Sequence, residues 1–520
     1  MGTLSGPNSI EDLALFLDIA TSVRTRSTLA TAVASMSGDL GAIKSPFASS
    51  PIGVAFGTEY RRTTAEIIPD EASATQDAIL GAGAPTPFTS GAFDVIEGFG
   101  ETIIPLVENA PLIHNLTVEG GLRLSAYSNT GFSTTWKVGG SYAPVRDLRF
   151  RSVFQTAVRS PNIDELFSPI VTGLENLDTD PCAGAAPVGN PALTALCIAQ
   201  GVPPAQIGSV SQPSAGQINQ TGGGNPVLDV ERADTFTAGF VFRPSRLPTF
   251  ALTFDYYNIH IEDAISVPTV GDVFSACFGD ANPDLLFDGP CTLIGRNPLN
   301  GSLNGGGDTL GLIQNLSNSG TLNTSGFDFS ASYQRDLGSI GSLAWQFNGT
   351  YVLENRFQVS QALAEIGGAF ITIPGALDRE CVSFFSTNCP GGSPERVPQP
   401  QFQFNQRLTY SWNVLDVSLQ HRYVDRLTIE PAANDDPTSN DPVFLPAFSA
   451  TRARHYLDLT IRGNVNERLT LSMTIDNLTD VDPPVVGNTI GSTTANSGNT
   501  FPTVFDALGR TFTFAAKLNF

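Results

Sequence analysis

Six cysteines are the residues of this 520-residue chain whose spacing most directly implies chemistry. They fall as three near neighbours, Cys182 with Cys197, Cys277 with Cys291, and Cys381 with Cys389. Oxidation would close each pair into a small loop, and a loop of about 15 residues gains roughly 3 kcal/mol in the chain-entropy picture. Six cysteines permit about 15 pairings, so near-neighbour bonding is an expectation, with reduced thiols or a metal site as the alternatives. No C-x-x-C occurs and the pairs lie far apart in sequence, which favours disulfides and an oxidising compartment.

Other reactive side chains form no catalytic pattern. His114, His260, His421 and His455 are isolated in the sequence, on or beside predicted strands, and H-E-x-x-H, G-x-S-x-G and Walker A patterns are absent. The oxygen-rich stretch Asn434–Asp441 lacks the ordered spacing of an EF-hand and reads as a solvated loop. Gly305–Asp308 has no strand-to-helix context and reads as loop, not phosphate cradle. An enzyme is not expected, and no cofactor is called for.

The elements that must position these residues are strands. Thr511–Phe520 places Phe512, Phe514, Leu518 and Phe520 among Thr511, Thr513, Lys517 and Asn519. A strand sends alternate side chains to opposite faces, so this segment suits lipid on one side and a polar interior on the other. The same period runs through Leu469/Leu471/Met473/Ile475, Leu457/Leu459/Ile461, Leu415/Val417/Leu419, Phe327/Phe329/Ala331/Tyr333, Phe250/Leu252/Phe254/Tyr256 and Leu148/Phe150. With 50 Gly, 36 Pro and 34 Phe, the composition belongs to many strands and loops. No apolar run approaches the roughly 18 residues of a spanning helix. A net charge of −22 argues against nucleic acid as a partner.

Connection lengths alternate as they do in an outer-membrane barrel, with short turns at one end and long loops at the other. Backwards from Phe520, the long joins are 481–506, 429–450, 357–399, 266–308 and 166–227. Between them fall short joins at 464–467, 411–414, 335–341, 244–247, 143–146 and 109–113. One tight join, Ser128–Gly131, stands where a long one is due. The pattern predicts an all-β, antiparallel transmembrane β-barrel of about 15 strands. It begins near residue 27, with 1–26 a partial loop or short helix after the capping-box-like Ser9-Ile-Glu-Asp12. The three cysteine pairs then sit in the three longest loops, on one side.

Specific motifs now carry a resemblance. Arg159, Pro161, Glu165 and Leu166, within Arg149–Phe167, look like the R-x-P-x-x-x-E-L-F signature of TonB-dependent outer-membrane receptors. Asn225, Pro226 and Glu231, within Gly224–Gly239, are similar to that family's G-N-P-x-L-x-x-E element. Asp255–Ile265, Asn323–Asp328 with Gly326 and Asp328, and Asp476–Asp480 resemble further landmarks in the expected order. These residues read as fold landmarks: Pro161 cannot donate to a ladder and stops the strand, and Arg159 with Glu165 forms an ion pair orienting the loop behind it.

The resemblance implies a receptor in the outer membrane of a Gram-negative bacterium, surrounded by lipid and taking up a scarce solute such as a siderophore, cobalamin or oligosaccharide. It further implies coupling to the TonB complex through a plug domain. Loops 166–227, 266–308 and 357–399 are the candidate substrate contacts, and Phe520 resembles the terminal signal read by the barrel assembly machinery. The family's barrel has roughly 22 strands. Residues 27–520 are therefore expected to be its C-terminal part, without the plug, the TonB box and about seven strands, in a truncated chain. A plugless passive pore and a surface adhesion barrel are the other readings.

Overall fold

The computed structural model of the protein describes residues 20–519 except 77, 80–83, 178, 280, 281, 283, 307, 360, 361, 367, 368, 373–378, 386–388, 390–397, 432–444 and 487–498. The expected capping box at Ser9–Asp12, the stretch Asn434–Asp441 and Phe520 lie outside the described residues. Fifteen strands follow one another across a single sheet, each antiparallel to the next. They are β1 Val23–Asp39, β2 Gly53–Pro69, β3 Thr89–Ala110, β4 Ile113–Tyr127 and β5 Gly131–Val145. Next come β6 Leu148–Arg159, β7 Glu231–Phe242, β8 Ala251–Ser266, β9 Ser317–Asp336 and β10 Ser342–Val359. The last five are β11 Phe402–Trp412, β12 Leu415–Val424, β13 Arg454–Asn464, β14 Leu469–Asp476 and β15 Thr511–Leu518. A two-residue strand, Arg379–Glu380, adds itself beside β10.

The all-β expectation and the alternation of connections hold. The first strand starts at Val23, ahead of the expected boundary, because Arg24 and Arg26 interrupt the apolar period there. β3 runs for 22 residues, roughly 70 Å at the usual rise per residue. That is about twice the 9–11 residues that hydrocarbon requires, so such strands stand clear of the membrane and carry the long loops upward.

Register separates the two faces. On one, Arg151, Asp255, Asp328, Arg422, Asp458 and Arg462 follow each other around the sheet. On the other, aromatic rings form a continuous belt: Phe150 meets Phe240, Phe240 meets Phe254, and Phe254 meets Phe329, at centroid distances of 6.3, 5.9 and 6.0 Å. Phe347, Phe404 and Tyr423 extend it at 6.2 Å from Phe329 and at successive steps of 5.3 and 5.2 Å. Phe512 and Phe514 of β15 are 58% and 74% exposed on that same outer face, an exposure that only hydrocarbon makes tolerable. At the short-turn end the Tyr142 hydroxyl donates to the Leu112 carbonyl at 2.7 Å, and Tyr410 does the same to Ile340. Each ring thus sits in the apolar zone with its hydroxyl at the polar edge, the placement of an interfacial tyrosine.

His421 and His455, isolated in sequence, come together on this outer face. Nε2 of one lies 3.0 Å from Nδ1 of the other, because cross-strand register makes diagonal neighbours of residues 34 apart.

Two ion pairs of the polar face pass over a glycine on the strand between their partners. Gly239 pairs with Arg151 on one side and Asp255 on the other, and the guanidinium reaches across it at 2.6 and 2.9 Å. A Cβ at Gly239 would lie 2.1 Å from the Asp255 carboxylate. Gly121 lies likewise between Lys137 and Glu101, which meet at 3.2 Å. Among the described residues no ladder joins β1 to β15, and every residue of β1 is exposed.

Gly239→Val is expected to push Asp255 off Arg151 and to destabilise the folded sheet by about 1–3 kcal/mol, the usual range for overpacking. The shift of the unheated, folded band on denaturing gels toward the unfolded position, at lower urea than for the parent chain, checks it.

Candidate functional site

The loop-bearing end of the sheet is where the chemistry concentrates, and its foundation is the lip where β6 stops. Arg159 donates to Glu165 at 2.9 and 3.0 Å and to Glu231 at 2.8 Å, so one guanidinium holds two carboxylates. Glu165 also caps its own short helix, Ile163–Phe167, accepting from the Asn162 backbone at 2.7 Å while the Asn162 side chain accepts from the Glu165 backbone. Glu231 accepts in turn from the Ile265 backbone at 2.7 Å. Pro161 is buried directly behind the strand end, and Leu166 is buried with Leu228 and Ile265. Asn225 donates its backbone N–H to the Glu165 carbonyl and its side chain to the Leu316 carbonyl, at 2.7 and 2.8 Å. The start of loop 160–230, its end and the end of loop 267–316 are therefore knotted at one point. The two other landmarks lie lower in the wall. Gly326 leaves room for the Tyr257 hydroxyl, 2.6 Å from where a Cβ would sit, and Asp328 accepts from Thr350 at 2.6 Å.

Above the lip the long loops form a folded cap, which periodicity reads as plain loop. Val171–Asn176 pairs antiparallel with Gln217–Gly222, which pairs parallel with Gly311–Ile313, which takes Ile294–Gly295 as its last neighbour. One small sheet therefore binds loop 160–230 to loop 267–316. Gly311 has φ +68° and passes so close to the Asn219 carbonyl that a Cβ would sit 1.8 Å from it. Helices Pro191–Ala199 and Val270–Phe278 are each capped by a side chain, Asn190 and Thr269 respectively. They pack Leu196, Val273 and Phe274 into a core with Ile218, Leu293 and Leu312.

All three near-neighbour cysteine pairs are bonded: Cys182–Cys197, Cys277–Cys291 and Cys381–Cys389, closing sequence separations of 15, 14 and 8. Each bond lies inside one loop. The links between loops are charged. The side chain of Arg296 in loop 267–316 is 0% exposed and grips Asp180 of loop 160–230 with two bonds of 2.7 Å, while donating to Gln200 at 3.0 Å. Arg379 of loop 360–401 grips Asp272 with two bonds of 2.7 Å and lies 3.2 Å from Glu430 of loop 425–453. Burial pushes the Arg379 pKa down, but its hydrogen bond to Asp272 and the charges of Asp272 and Glu430 outweigh that and hold the pKa above the ordinary arginine value. Phe385, Leu427, Ile429, Val486, Phe501 and Phe505 form an apolar seam that brings loop 477–510 into the same assembly.

Below the cap, on the polar face, is a cavity of about 510 Å³ lined by Thr253, Asp328, Ser330, Asn348, Gln403 and Asn405, with Val504 reaching in from loop 477–510. Arg422 lines it as well, held to Asp458 at 2.7 and 2.9 Å and to Asp506 at 3.3 Å.

The lip motif is visible in the sequence, but its second carboxylate, Glu231, lies 72 residues from Arg159 and becomes a partner only through the β6–β7 ladder. Periodicity does not reveal the cap core and its buried ion pairs. One signal is available: loop 160–230 has no Lys or Arg and loop 267–316 has only Arg296, so a lone cation among acids already marks a paired one. Gly305 accepts a hydrogen bond from Asn219 at 2.8 Å, so the glycine-rich run is part of the cap's scaffold.

A wall with an apolar belt on one face, ion pairs on the other and a stapled cap at one end is the architecture of a large transmembrane β-barrel protein. Residues 15–478 match the family model described as TonB dependent receptor-like, beta-barrel, and the chain belongs to that family. No curated protein matches the sequence. Among solved structures, a mutant of the ferric enterobactin receptor PfeA from Pseudomonas aeruginosa is similar with TM-score 0.55 at 15% identity, over 95% of this chain and 54% of that one. The siderophore receptor PirA from Acinetobacter baumannii gives 0.53 at 13%, over 96% and 55%. The FrpB iron transporter from Neisseria meningitidis gives 0.50 at 15%, over 95% and 55%. At these identities the likeness is one of fold, and this chain spans about half the length of each.

Asp180→Ala leaves the Arg296 charge buried without its partner, a change that typically costs about 3–5 kcal/mol. The expected result is rapid proteolytic cleavage of the cap with the sheet's folded gel band intact. The double change Asp180→Leu with Arg296→Met is expected to restore protection, since an apolar pair of similar volume replaces a buried ion pair at little cost.

Proposed function

We propose that this chain forms the wall and outer vestibule of a TonB-dependent receptor in the outer membrane of a Gram-negative bacterium, serving uptake of a scarce solute too large for porins. The observation that carries the reading is the cap: three disulfides and three buried inter-loop ion pairs hold long loops in one arrangement over a polar interior. A passive pore does not need loops fixed in that way. A receptor does, because loops ordered before the ligand arrives do not lose that freedom on binding.

In this reading the solute meets loops 166–227, 266–308 and 357–399 first and passes down the polar face. Siderophores, cobalamin and oligosaccharides all remain within the proposed class, and the siderophore and iron receptors among the similar folds support it at that level. Coupling to the TonB complex would run through a plug domain, lipid would cover the aromatic belt, and Phe520 would be read by the outer-membrane assembly machinery. The lip residues Arg159, Glu165 and Glu231 would orient the loops without touching the solute. No catalytic step is proposed.

Removal of residues 268–315 from the chain in outer-membrane vesicles is expected to abolish binding of whichever of labelled cobalamin, a ferric siderophore or a neutral oligosaccharide the parent binds. Unchanged affinity would sink the receptor reading. Steady solute-independent conductance in planar bilayers, without an energy source, would replace it with the passive pore. Deleting Phe520 is expected to cut the amount of assembled protein several-fold while leaving the affinity of the assembled fraction unchanged, measured by surface labelling and binding on the same vesicles.

A further inference from the structure

Charge is distributed unevenly between the two ends of this sheet. The connections at the cap end, 70–88, 128–130, 160–230, 267–316, 360–401, 425–453 and 477–510, hold 26 of the 50 Asp and Glu and only 6 of the 28 Lys and Arg. Their balance of −20 is nearly the chain's whole −22. The connections at the opposite end carry Lys44, Arg146, Arg243, Arg246 and Arg468 against Asp147 and Glu467, a small positive balance.

The cations in the cap are also mostly occupied. Arg296 and Arg379 are buried in their ion pairs, and Arg510 meets Asp480 at 3.1 Å. Among the described residues Arg426 and Arg452 alone face solvent from these loops without such a partner. An anion approaching the mouth therefore meets a field of its own sign, with few free cations to receive it. Focusing between low-dielectric walls strengthens that field over what a flat surface would produce.

The cavity beneath has a matching chemistry. Asn348 pairs in register with Asn405, and Thr350 with Gln403, so amides and a hydroxyl stand side by side on β10 and β11. The side-chain amides of Asn348, Gln403 and Asn405 have no hydrogen-bond partner among the described residues and open into the cavity. Each offers a donor and an acceptor together, the combination that a pair of neighbouring hydroxyl groups can satisfy at once. The one cation in the lining, Arg422, is already shared by Asp458 and Asp506.

We infer that the solute taken by this chain is neutral and hydroxyl-rich, of the small-oligosaccharide class, that it is held by Asn348, Gln403 and Asn405, and that the acidic cap excludes anionic ferric chelates. The inference rests on the uptake reading above and narrows its substrate class. Asn348, Gln403 and Asn405 are exposed to the open cavity, and three amides at a sugar edge supply specificity through matched donors and acceptors, since an analogue lacking the hydroxyls forgoes those hydrogen bonds.

The test uses the full chain in outer-membrane vesicles, a glycan array of neutral oligosaccharides, and a labelled ferric tris-catecholate as the anionic probe. Binding of at least one neutral oligosaccharide is expected, with affinity about tenfold lower or worse in Asn348→Ala with Asn405→Ala, corresponding to about 1.4 kcal/mol or more. The ferric chelate is expected not to bind at low salt. Gln403→Glu, which adds a negative charge and removes a donor, is a second variant expected to weaken the oligosaccharide while leaving the folded gel band unchanged. Tight binding of the ferric chelate would overturn this inference and leave the receptor reading standing. Oligosaccharide binding unaffected by all three substitutions would overturn the assigned cavity. Failure of both probes and of cobalamin would overturn the inference and the receptor reading together.

Discussion

Everything in this molecule depends on the requirement that a backbone next to hydrocarbon has its N–H and C=O groups paired within the protein. Sheets meet it by laddering each strand to two others, and the ladder then forces side chains to alternate between two solvents. Aromatic rings from β6 to β12 sit on the lipid side and carboxylates and guanidinium groups on the other because register permits no third option. Gly121 and Gly239 are where that rule meets its own limit. Arg151 with Asp255, and Lys137 with Glu101, join two strands apart over a position that offers no side chain, so these longer-range bonds of the polar face depend on two glycines.

The cap follows a different logic. It lies in water, its backbone can pair with solvent, and its order has to come from elsewhere. Helix caps at Asn190 and Thr269, a four-stranded sheet drawn from two loops, and apolar clusters around Cys277 and Phe501 make it a small folded unit in its own right. Because Arg159 ties the start of one loop to the strand that follows it, the unit is anchored on the wall at a fixed height.

The wall was legible in the sequence because its two faces differ in solvent, and a period of two survives in residues such as Leu469, Leu471, Met473 and Ile475 without any knowledge of partners. Near-neighbour cysteines were legible for a similar reason: their pairing is local. The cap was not, since Asp180 and Arg296 are 116 residues apart and Asp272 and Arg379 are 107 apart, and neither pair leaves a periodic trace. The histidines show the same limit, His421 and His455 being single residues until β12 and β13 align. The cavity amides belong to this class too, since Asn348 and Asn405 stand on strands separated by a long loop.

The placement of the disulfides has a mechanical consequence. Each closes within a single loop, and none runs from one loop to another. The covalent staples therefore make rigid tiles, while the seams between tiles include hydrogen bonds, three buried salt bridges and apolar contacts that reform after breaking. An oxidised cap of this kind can hinge along its seams and close again without any tile losing its shape, so the mouth combines stiff pieces with reversible joints.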